Sequence, residues 1–490
     1  MTTELRETEI LPDEGIGSLL RPDRLSAWSW VLAYTAIFST ISVLRFHLWI
    51  ANGLDLGLFE QGFWLTLHKG LLAATSYTGY PIVESGGSWL VYPLALVYGV
   101  GGVGLLLVAQ AFALGLGYLF IDRIGDVVGV SRHVKHLIGM AYLLSPTILG
   151  TNLFDFHPAV LAVPLLFWML LAVVEGNGLS AALAALLAIS ASDLAPILVL
   201  GAGVVVWWRR MPGLGIILVI GSLVLGSIDW LVLLPTANHG LLPDWTAYFS
   251  ALGTTPLQGV GTVLRHPGFL VAWVGELRTW EYVGVLLVVP AGFLVLSRVH
   301  RVSAWWIPAI LLMETNLVSA LPIRTSPFNE FSVAAVPFIF MAVIEGLSRA
   351  QLDRRRAKAL LVLPILVFVI FVWQQHRTFW RSIPAQPTVL QTAANAVPQG
   401  APVLAQNFVI AHLSERDRAW LPARAESRPL PTGTYVLLDP LTTTGTTPPA
   451  VLTRLTQEVL KKGQADVVFS QSGIILARLV KPISPLGEFK

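Results

Sequence analysis

The sequence has no cysteine and few charged residues. Asp, Glu, Lys and Arg make up 12% of its 490 residues, whereas an ordinary soluble domain carries about 25%. Because so little charge cannot cover a globular surface of this size, the composition excludes a soluble enzyme and a disordered protein. The absence of cysteine excludes a disulfide-stapled module, thiolate metal sites and cysteine nucleophiles. A polytopic membrane protein remains, and the mean hydropathy of +0.69 and the 17 tryptophans are typical of one.

Apolar runs of about 17–25 residues, the length that crosses a bilayer, begin at Ala27. The clear candidates are residues 27–48, 104–121, 214–235, 280–298, 303–322, 331–348 and 358–374. Shorter candidates are residues 137–150, 159–174, 179–191 and 194–208. The Gly-rich run 88–103 is either re-entrant or a bent extension of the helix that follows it. Together the runs predict about eleven crossings.

The placement of Lys and Arg in short loops predicts the orientation. Basic residues concentrate in the N-terminal tail and in the segments 123–135, 209–210, 298–301 and 349–358, which can all share one side. The opposite loops hold only Lys69, Arg265, Arg278 and Arg324. This asymmetry predicts a cytoplasmic tail of residues 1–26 and a transmembrane domain of residues 27–375. Its loops 51–87 and 236–279 are then extracytoplasmic. We interpret the basic stretch 354–356 as a contact with anionic lipid and not as a nucleic-acid site.

Beyond Trp373 the long apolar runs stop, and residues 376–490 gain Pro, Thr and charge. Their pattern predicts short strands at 402–405, 435–438, 466–469 and 473–479, with helices at 386–397 and 449–462. Alternating strands and helices indicate a small α/β domain. The predicted fold is therefore an α-helical polytopic membrane protein with a small C-terminal extracytoplasmic α/β domain.

Acidic, histidine and arginine side chains in the predicted outer loops are the candidate functional residues. An ionisable group near the membrane without a partner is costly, so each needs a structural or functional reason. The candidates are Asp55, Glu60, Asp155, His157, Asp193, Glu276, Arg278, Glu281, Arg324 and Glu330. They come from loops that are far apart in the sequence but lie on the same predicted side. We therefore expect them to face one extracytoplasmic chamber.

Each candidate also has a purely structural interpretation. Asp55 is a possible helix cap, and Asp155 with His157 is a possible hydrogen-bonded pair within one loop. Asp193 suits a solvent-facing turn. Arg278 suits a surface salt-bridge set with little energetic value. The sequence leaves these alternatives open.

Several motifs, taken in order, resemble one known family. Asp55-Leu56-Gly57-Leu58-Phe59-Glu60-Gln61, with Trp64 after it, resembles the Asp-Leu-Gly-x-Phe-Asp-Gln-x-x-Trp motif of bacterial membrane proteins grouped as domain of unknown function 2079. Phe154-Asp155-Phe156-His157-Pro158 resembles the family's Phe-Asp-Phe-His-Pro-Glu. Tyr248 with residues 252–256, and the segments 412–416 and 435–439, resemble later parts of the family pattern. The resemblance extends from Leu44 to Leu479.

The chain departs from that family pattern at three places. Residues 86–89 stand where the family usually has His-Phe-Ser, and Ala191-Ser192-Asp193 stands where it often has Lys-Glu-Asp. Ala159 replaces the Glu that follows His-Pro. These changes remove a base, a charge pair and an acid without disturbing the fold.

The family is similar in layout to the glycosyltransferase C superfamily, and this resemblance implies a function. It implies a protein of the bacterial plasma membrane that moves a sugar from a polyprenyl-phosphate donor to a cell-envelope acceptor. Asp55 is then the expected general base, with Glu60 as a second catalytic candidate. The expected substrate-binding residues are His157, Asp193, Arg278 and Arg324, of which the basic ones would neutralise the departing phosphate.

A divalent metal such as Mg or Mn is the expected cofactor, because it would also neutralise phosphate. Its candidate ligands are Asp155 and His157, together with Glu60. The lipid chain would lie near the Gly-rich 88–103 region, and the α/β domain would bind the acceptor or shape its path.

Two other classes of function remain open. One is a lipid-binding, lipid-translocating or assembly protein that keeps the scaffold without catalysis, since fold does not convey activity. The other is an ion-coupled transporter, for which Asp229 and Glu314 within apolar stretches are the relevant residues. The sugar, the acceptor and the oligomeric state are not predicted.

Overall fold

The computed structural model of the chain describes residues 19, 24–85, 88–241, 243–298, 302–348, 354–440, 442 and 448–486. Most of the predicted N-terminal tail lies outside the described residues, as do Gly86, Gly87 and residues 349–353. Helices dominate up to residue 382, and a small sheet follows. This arrangement confirms the predicted fold class.

The membrane part consists of helices joined by short turns. The helices are α1 (Leu25–His47), α2 (Leu58–Lys69), α3 (Val91–Val127), α4 (Arg132–Leu143), α5 (Pro146–Leu153), α6 (Ala162–Val174), α7 (Gly178–Ala191), α8 (Ala195–Trp208), α9 (Pro212–Ile228), α10 (Leu234–Ala237), α11 (Pro243–Phe249), α12 (Pro256–Arg265), α13 (Leu277–Leu296), α14 (Trp306–Leu317), α15 (Glu330–Val333), α16 (Val336–Leu347) and α17 (Arg354–Ser382). Tighter or wider helical turns occur at Gly53–Gly57, Ile82–Glu84, Pro158–Leu161, Asp229–Leu233, Ser250–Leu252, Pro267–Gly275 and Pro322–Thr325.

Within the described residues, five helical segments are long and apolar enough to cross a membrane. They are Leu25–His47, Val91–Val127, Pro212–Ala237, Leu277–Leu296 and Glu330–Leu347. Shorter apolar helices are Pro158–Val174, Gly178–Ala191, Ala195–Trp208 and Val362–Gln375. Side chains such as Ile216, Ile220 and Leu223 on α9 are exposed, as expected for a surface that faces lipid. The chain is therefore a multi-pass membrane protein, and the number of crossings stays a prediction.

The structure decides how the Gly-rich run 88–103 is folded. It is the first part of α3, which bends at Gly102, where φ is 59° and ψ is −156°. Only glycine adopts this conformation readily, because a Cβ atom would clash with the backbone. The run is thus a bent extension of the following helix.

Two of the predicted spans have different bounds in the structure. Residues 137–150 divide between α4 and α5, and the break lies just before Pro146. Proline disfavours helical geometry in the residue before it, so α4 ends there and α5 begins with proline in its first turn. The run 303–322 is helical only as α14, from Trp306 to Leu317.

The C-terminal part is a mixed five-stranded sheet with helices on both sides. The strands are β1 (Val403–Ala405), β2 (Ala419–Trp420), β3 (Tyr435–Leu438), β4 (Ala465–Gln471) and β5 (Ile474–Leu479), in the order β2-β1-β3-β5-β4. The helices are α18 (Pro387–Asn395), α19 (Asn407–Ile410), α20 (Arg424–Ser427) and α21 (Pro449–Val459). Strand β1 pairs parallel with β2 and β3, whereas β5 pairs antiparallel with β3 and β4.

Alternation along the strands produces a separate apolar core on each side of the sheet. Leu437 of β3 packs with Leu390 of α18, while its neighbours Val436 and Leu438 pack with α21. Successive side chains of a strand point to opposite faces, so both faces are covered. The sheet therefore has helices packed on each face.

The C-terminal part is attached to the first loop by hydrogen bonds. The side-chain oxygen of Asn407 accepts from the backbone N–H groups of Gly53 at 2.9 Å and Leu54 at 3.2 Å. Gln61 donates to the carbonyl of Arg416 at 2.8 Å. A Cβ atom on Gly53 would lie 2.3 Å from Ile410, so the contact requires glycine. These bonds hold the loop that carries Asp55.

Candidate functional site

Side chains from four separate loops meet around one cavity of about 300 Å³. Asp55 comes from the first loop, His157 from the turn before α6, and Asp193 from the turn between α7 and α8. Arg324 and Glu330 come from the segment between α14 and α16. The cavity thus brings together five of the ten candidates that were expected to face one chamber.

Asp55 lies in the wide helical turn Gly53–Gly57 that leads into α2. Asn52 caps this turn, because its side-chain oxygen accepts from the backbone N–H of Leu54 at 2.9 Å. The carboxylate of Asp55 is therefore not used as the cap. It lines the cavity, and its Oδ1 lies 3.4 Å from Nε2 of His157.

His157 is buried between two carboxylates. Its Nε2 lies 3.4 Å from Oδ1 of Asp55 and 3.6 Å from Oε2 of Glu330. Gln110 on α3 fixes the backbone here, since its Oε1 accepts from the N–H of His157 at 2.9 Å. Burial opposes protonation, yet the charges of Glu330 and Asp55 raise the pKa of His157 to about 9. At neutral pH the imidazole is therefore a cation that links the two acids.

Arg324 is a buried cation with unsatisfied donors. Its side chain is 2% exposed, and its guanidinium carbon lies 4.5 Å from the ring centre of Tyr248 and 4.6 Å from that of Phe331. Its Nη2 lies 4.0 Å from the carboxylate of Asp193. Nε and Nη1 are buried and have no hydrogen-bond partner among the described residues. Aromatic faces stabilise the charge, but they leave these N–H groups available to an anion in the cavity.

Glu276 and Glu281 do not line this cavity, and neither do three of the candidates for a catalytic, binding or metal role. Glu60 is buried on α2, where it interacts with Glu415 and Arg416 of the C-terminal part, and burial raises its pKa well above the usual value. Asp155 lines another cavity, of about 410 Å³, and accepts a hydrogen bond from the N–H of Asn52 at 2.8 Å. Arg278 pairs with Glu276 near the start of α13. The structure therefore separates these three from Asp55.

The expected metal ligands do not form a cluster. In the part of the chain that the structure describes, no group of three or more His, Cys, Asp or Glu side chains is arranged to hold a metal ion. Asp155 and His157 line different cavities. The Nε2 of His157 faces two carboxylates as a hydrogen-bond donor, whereas a metal ligand must be a neutral imidazole. These residues do not fit a resident metal in this arrangement, and the metal stays an untested prediction.

Tyr248 and Phe331 belong to the site but were not among the candidate residues from the sequence, and Glu330 was a candidate without an assigned role. Tyr248 was recognised only as part of a family motif. Nothing in the local pattern showed that Phe331 and Tyr248 would cover Arg324. The contact between Tyr248 and Arg324 joins residues more than 70 positions apart, so only the tertiary structure shows it.

Asp229, the acid that would suit a transporter, has a hydrogen-bond partner in the structure. The indole Nε1 of Trp89 donates to its Oδ1 at 2.7 Å. A buried carboxylate with such a donor can be a structural contact between segments. Asp229 does not line the cavity of Asp55.

The protein is a multi-pass membrane protein with a small C-terminal sheet, and the loops between its helices form a cavity. Two crystal structures of ArnT from Cupriavidus metallidurans, a glycosyltransferase of the C superfamily, have a similar fold. The apo structure matches with a TM-score of 0.53 at 12% identity, and the structure bound to undecaprenyl phosphate with 0.52 at 13%. Each match covers 92% of this chain and 98% of ArnT. The chain therefore shares its fold with ArnT.

The chain belongs to the family described as predicted membrane protein (DUF2079), whose model matches residues 45–476. This match confirms the family that the sequence motifs resemble. The comparison with curated proteins gave no match.

Proposed function

We propose that this protein transfers a sugar from a polyprenyl-phosphate donor to an acceptor of the bacterial cell envelope. The observation that carries the proposal is Arg324, whose Nε and Nη1 have no partner among the described residues and whose side chain lines the cavity of Asp55. A phosphate group suits a buried guanidinium with free N–H donors, because its charged oxygens accept charge-assisted hydrogen bonds. A basic group for the phosphate and an acid for the acceptor are both available in one cavity.

The chemistry assigns one role to each side chain. Asp55, the acid with the freest access to the cavity, would take the proton from the acceptor hydroxyl as that oxygen attacks the sugar carbon. The bond between the sugar and the phosphate breaks, and Arg324 would stabilise the negative charge that develops on the phosphate. His157 would hold Asp55 in position and add positive charge. Asp193 would orient Arg324 and contact the sugar.

The fold gives this proposal further support. ArnT has been crystallised with undecaprenyl phosphate bound, and that ligand is a polyprenyl phosphate. We extend this ligand class to the present chain because both have a helical membrane part of the same fold. We also propose the orientation, with the N-terminus in the cytoplasm and both the cavity and the C-terminal part on the outer side.

A second candidate is a protein that binds or moves the lipid without catalysis. The observation that favours it is the position of two departures from the family pattern, Ala159 and Ser192, which both line the cavity. A methyl group and a hydroxyl there supply no acid or base. The two candidates differ in whether any donor is turned over.

The proposal is tested by measuring sugar transfer from a panel of polyprenyl-phosphate sugars with purified protein. We expect Asp55→Asn to lower turnover by about a hundredfold or more, the usual contribution of a general base. Asp466→Asn, which changes an exposed acid on β4, is the matched control and should keep full turnover. Both variants must bind undecaprenyl phosphate as the wild type does.

Two results would contradict the catalytic proposal. Equal turnover of Asp55→Asn and the wild type would remove Asp55 from the mechanism. Lipid binding without turnover of any donor would favour the non-catalytic candidate.

A further inference from the structure

A second group of basic side chains surrounds a cavity that the proposed reaction does not yet use. This cavity of about 620 Å³ lies between the first loop and the C-terminal part. Arg418, Arg424 and Arg428 line it, together with Tyr77 and Trp420. No Asp or Glu is among the described residues that line it. We call it the arginine cavity.

Within the part of the chain that the structure describes, the three arginines have no charge partner. None of them forms an ion pair with a described residue. Glu426 is on the same short helix as Arg424 but does not line the cavity. Burial, followed by the charges of Arg428 and Arg418, lowers the pKa of Arg424. The cluster therefore holds like charges close together, which is unfavourable unless an anion is bound.

Arg424 is the member of the cluster that is held most firmly. Its guanidinium carbon lies 4.3 Å from the ring centre of Trp420, an arrangement that stabilises a cation and fixes the plane of the group. Its Nε is buried and has no hydrogen-bond partner within the described part of the chain. Arg418 and Arg428 are exposed. The cavity thus combines one oriented guanidinium with two exposed ones.

The arginine cavity is adjacent to the cavity of Asp55. Leu54 and Thr78 line both, and Leu54 precedes Asp55 in the sequence. A volume of about 620 Å³ is within the range of about 300–1,000 Å³ that is usual for ligand sites. A molecule held in the arginine cavity can therefore extend a hydroxyl group toward Asp55.

We propose that the arginine cavity binds a phosphate group of the acceptor, so that the acceptor is an anionic, phosphate-bearing molecule of the cell envelope. This inference deepens the proposed function and rests on it, because only a transferase has an acceptor. A phosphate suits the cluster because it offers several oxygens to planar guanidinium groups, which bind it in a bidentate manner. The phosphate belongs either to a lipid headgroup or to a soluble polymer, and the experiment distinguishes these sources.

The test measures binding of inorganic tripolyphosphate to the full-length protein in detergent by calorimetry. We expect Arg424→Gln to weaken binding about tenfold, the effect of losing one charge-assisted hydrogen bond of about 1.5 kcal/mol. The double variant Arg418→Gln, Arg428→Gln should weaken it as well, and it leaves the stacked pair with Trp420 intact. Arg478→Gln, which removes an exposed arginine of β5, is the charge-matched control and should change nothing.

The same measurement in lipid nanodiscs identifies the source of the phosphate. If phosphatidylglycerol competes with tripolyphosphate and phosphatidylcholine does not, the cavity accepts a lipid headgroup. If neither lipid competes, it accepts a soluble phosphate polymer. Both results support the proposal.

Three results would overturn it. One is equal binding of tripolyphosphate to Arg424→Gln, to the double variant and to the wild type. Another is a loss of tripolyphosphate binding in Arg478→Gln equal to that in Arg424→Gln, since that would indicate a non-specific charge effect. Tighter binding of citrate than of tripolyphosphate would reject phosphate as the ligand.

A separate variant distinguishes this inference from the proposed function. Arg324→Gln should lose binding of undecaprenyl phosphate. In that background, Arg424→Gln should still weaken binding of tripolyphosphate. If no sugar donor is turned over but Arg424→Gln still weakens phosphate binding, the proposed function fails and the phosphate site stands. If a sugar donor is turned over but Arg424→Gln binds tripolyphosphate as the wild type does, the phosphate site fails and the proposed function stands.

Discussion

Replacing Arg324 is the sharpest way to examine the cavity, because one side chain combines burial, charge and two unsatisfied donors. Arg324→Gln removes the charge and the guanidinium fork, whereas Arg324→Lys keeps the charge as a single ammonium group. The stacking on Tyr248 and Phe331 suits a planar guanidinium, and a lysine reproduces it poorly. The two variants thus separate the contribution of charge from that of geometry.

The expected magnitude follows from the two donors without a partner among the described residues, Nε and Nη1. A hydrogen bond to a charged group contributes about 1.5–3 kcal/mol net. Taking the lower value for each donor gives about 3 kcal/mol for the pair, and each 1.4 kcal/mol is a factor of about ten in Kd. We therefore expect Arg324→Gln to weaken binding of undecaprenyl phosphate about a hundredfold. Arg324→Lys should weaken it about tenfold, because the ammonium group keeps the charge without the fork.

The assay is equilibrium binding of undecaprenyl phosphate to purified protein, with thermal unfolding measured in parallel to confirm that each variant is folded. Arg278→Gln is the matched control, since this arginine pairs with Glu276 on the surface and does not line the cavity. The control should bind the lipid as the wild type does. Apolar polyprenol, which lacks the phosphate, should bind all variants equally.

Wild-type affinity in a folded Arg324→Gln protein would refute the assignment of Arg324 to the phosphate. Equal losses in Arg324→Gln and Arg278→Gln would also refute it, because the effect would then follow net charge and not the cavity. A loss for polyprenol as large as that for undecaprenyl phosphate would show that the substitution alters the binding of the lipid chain.

Two further predictions concern Glu60 and the orientation of the chain. Burial raises the pKa of Glu60 above its usual 4.5 in the folded protein, so this group destabilises the fold increasingly as the pH rises from 4.5 through the folded pKa. Glu60→Gln should raise the unfolding temperature at pH 8 and leave it unchanged near pH 4.5. An identical pH dependence of unfolding in both proteins would contradict this. Because the chain has no cysteine, single cysteines report the orientation. An impermeant maleimide added to intact cells should label Ser470→Cys and not Ser131→Cys, and the opposite result would invert the proposed topology.

The sequence is most informative where structure follows from local hydropathy. The predicted strand 435–438 coincides with β3, and the predicted helix 449–462 contains α21. The strand β2 was not predicted, because two residues at Ala419–Trp420 are too few to show an alternating pattern. The break in the helix before Pro146 was not predicted, because the residues on both sides of it are apolar. The hydropathy is therefore continuous where the helix is interrupted.

The convergence of Asp55, His157, Asp193 and Arg324 was predicted in part. Successive spans cross the membrane in alternating directions, so these loops were expected on one side. The resemblance to the family motifs named Asp55, His157 and Asp193. The sequence did not decide which acids share a cavity. Asp55 lies in the wide turn Gly53–Gly57 and Glu60 lies on α2, and only Asp55 lines the cavity with His157. The charge of Glu60 instead interacts with that of Arg416, which lies more than 350 residues further along the chain.

Composition, apolar runs and motif order thus established by themselves that the chain is a polytopic membrane protein of this family, and they predicted a small α/β part at its end. These properties depend on the transfer of each segment between water and lipid, which is local in sequence. Only the tertiary structure decided that Asp155 and His157 line different cavities, that aromatic rings enclose Arg324, and that three arginines surround a cavity beside Asp55. Those arrangements depend on the packing of segments that are distant along the chain, and the direction of each side chain is set by its neighbours in space.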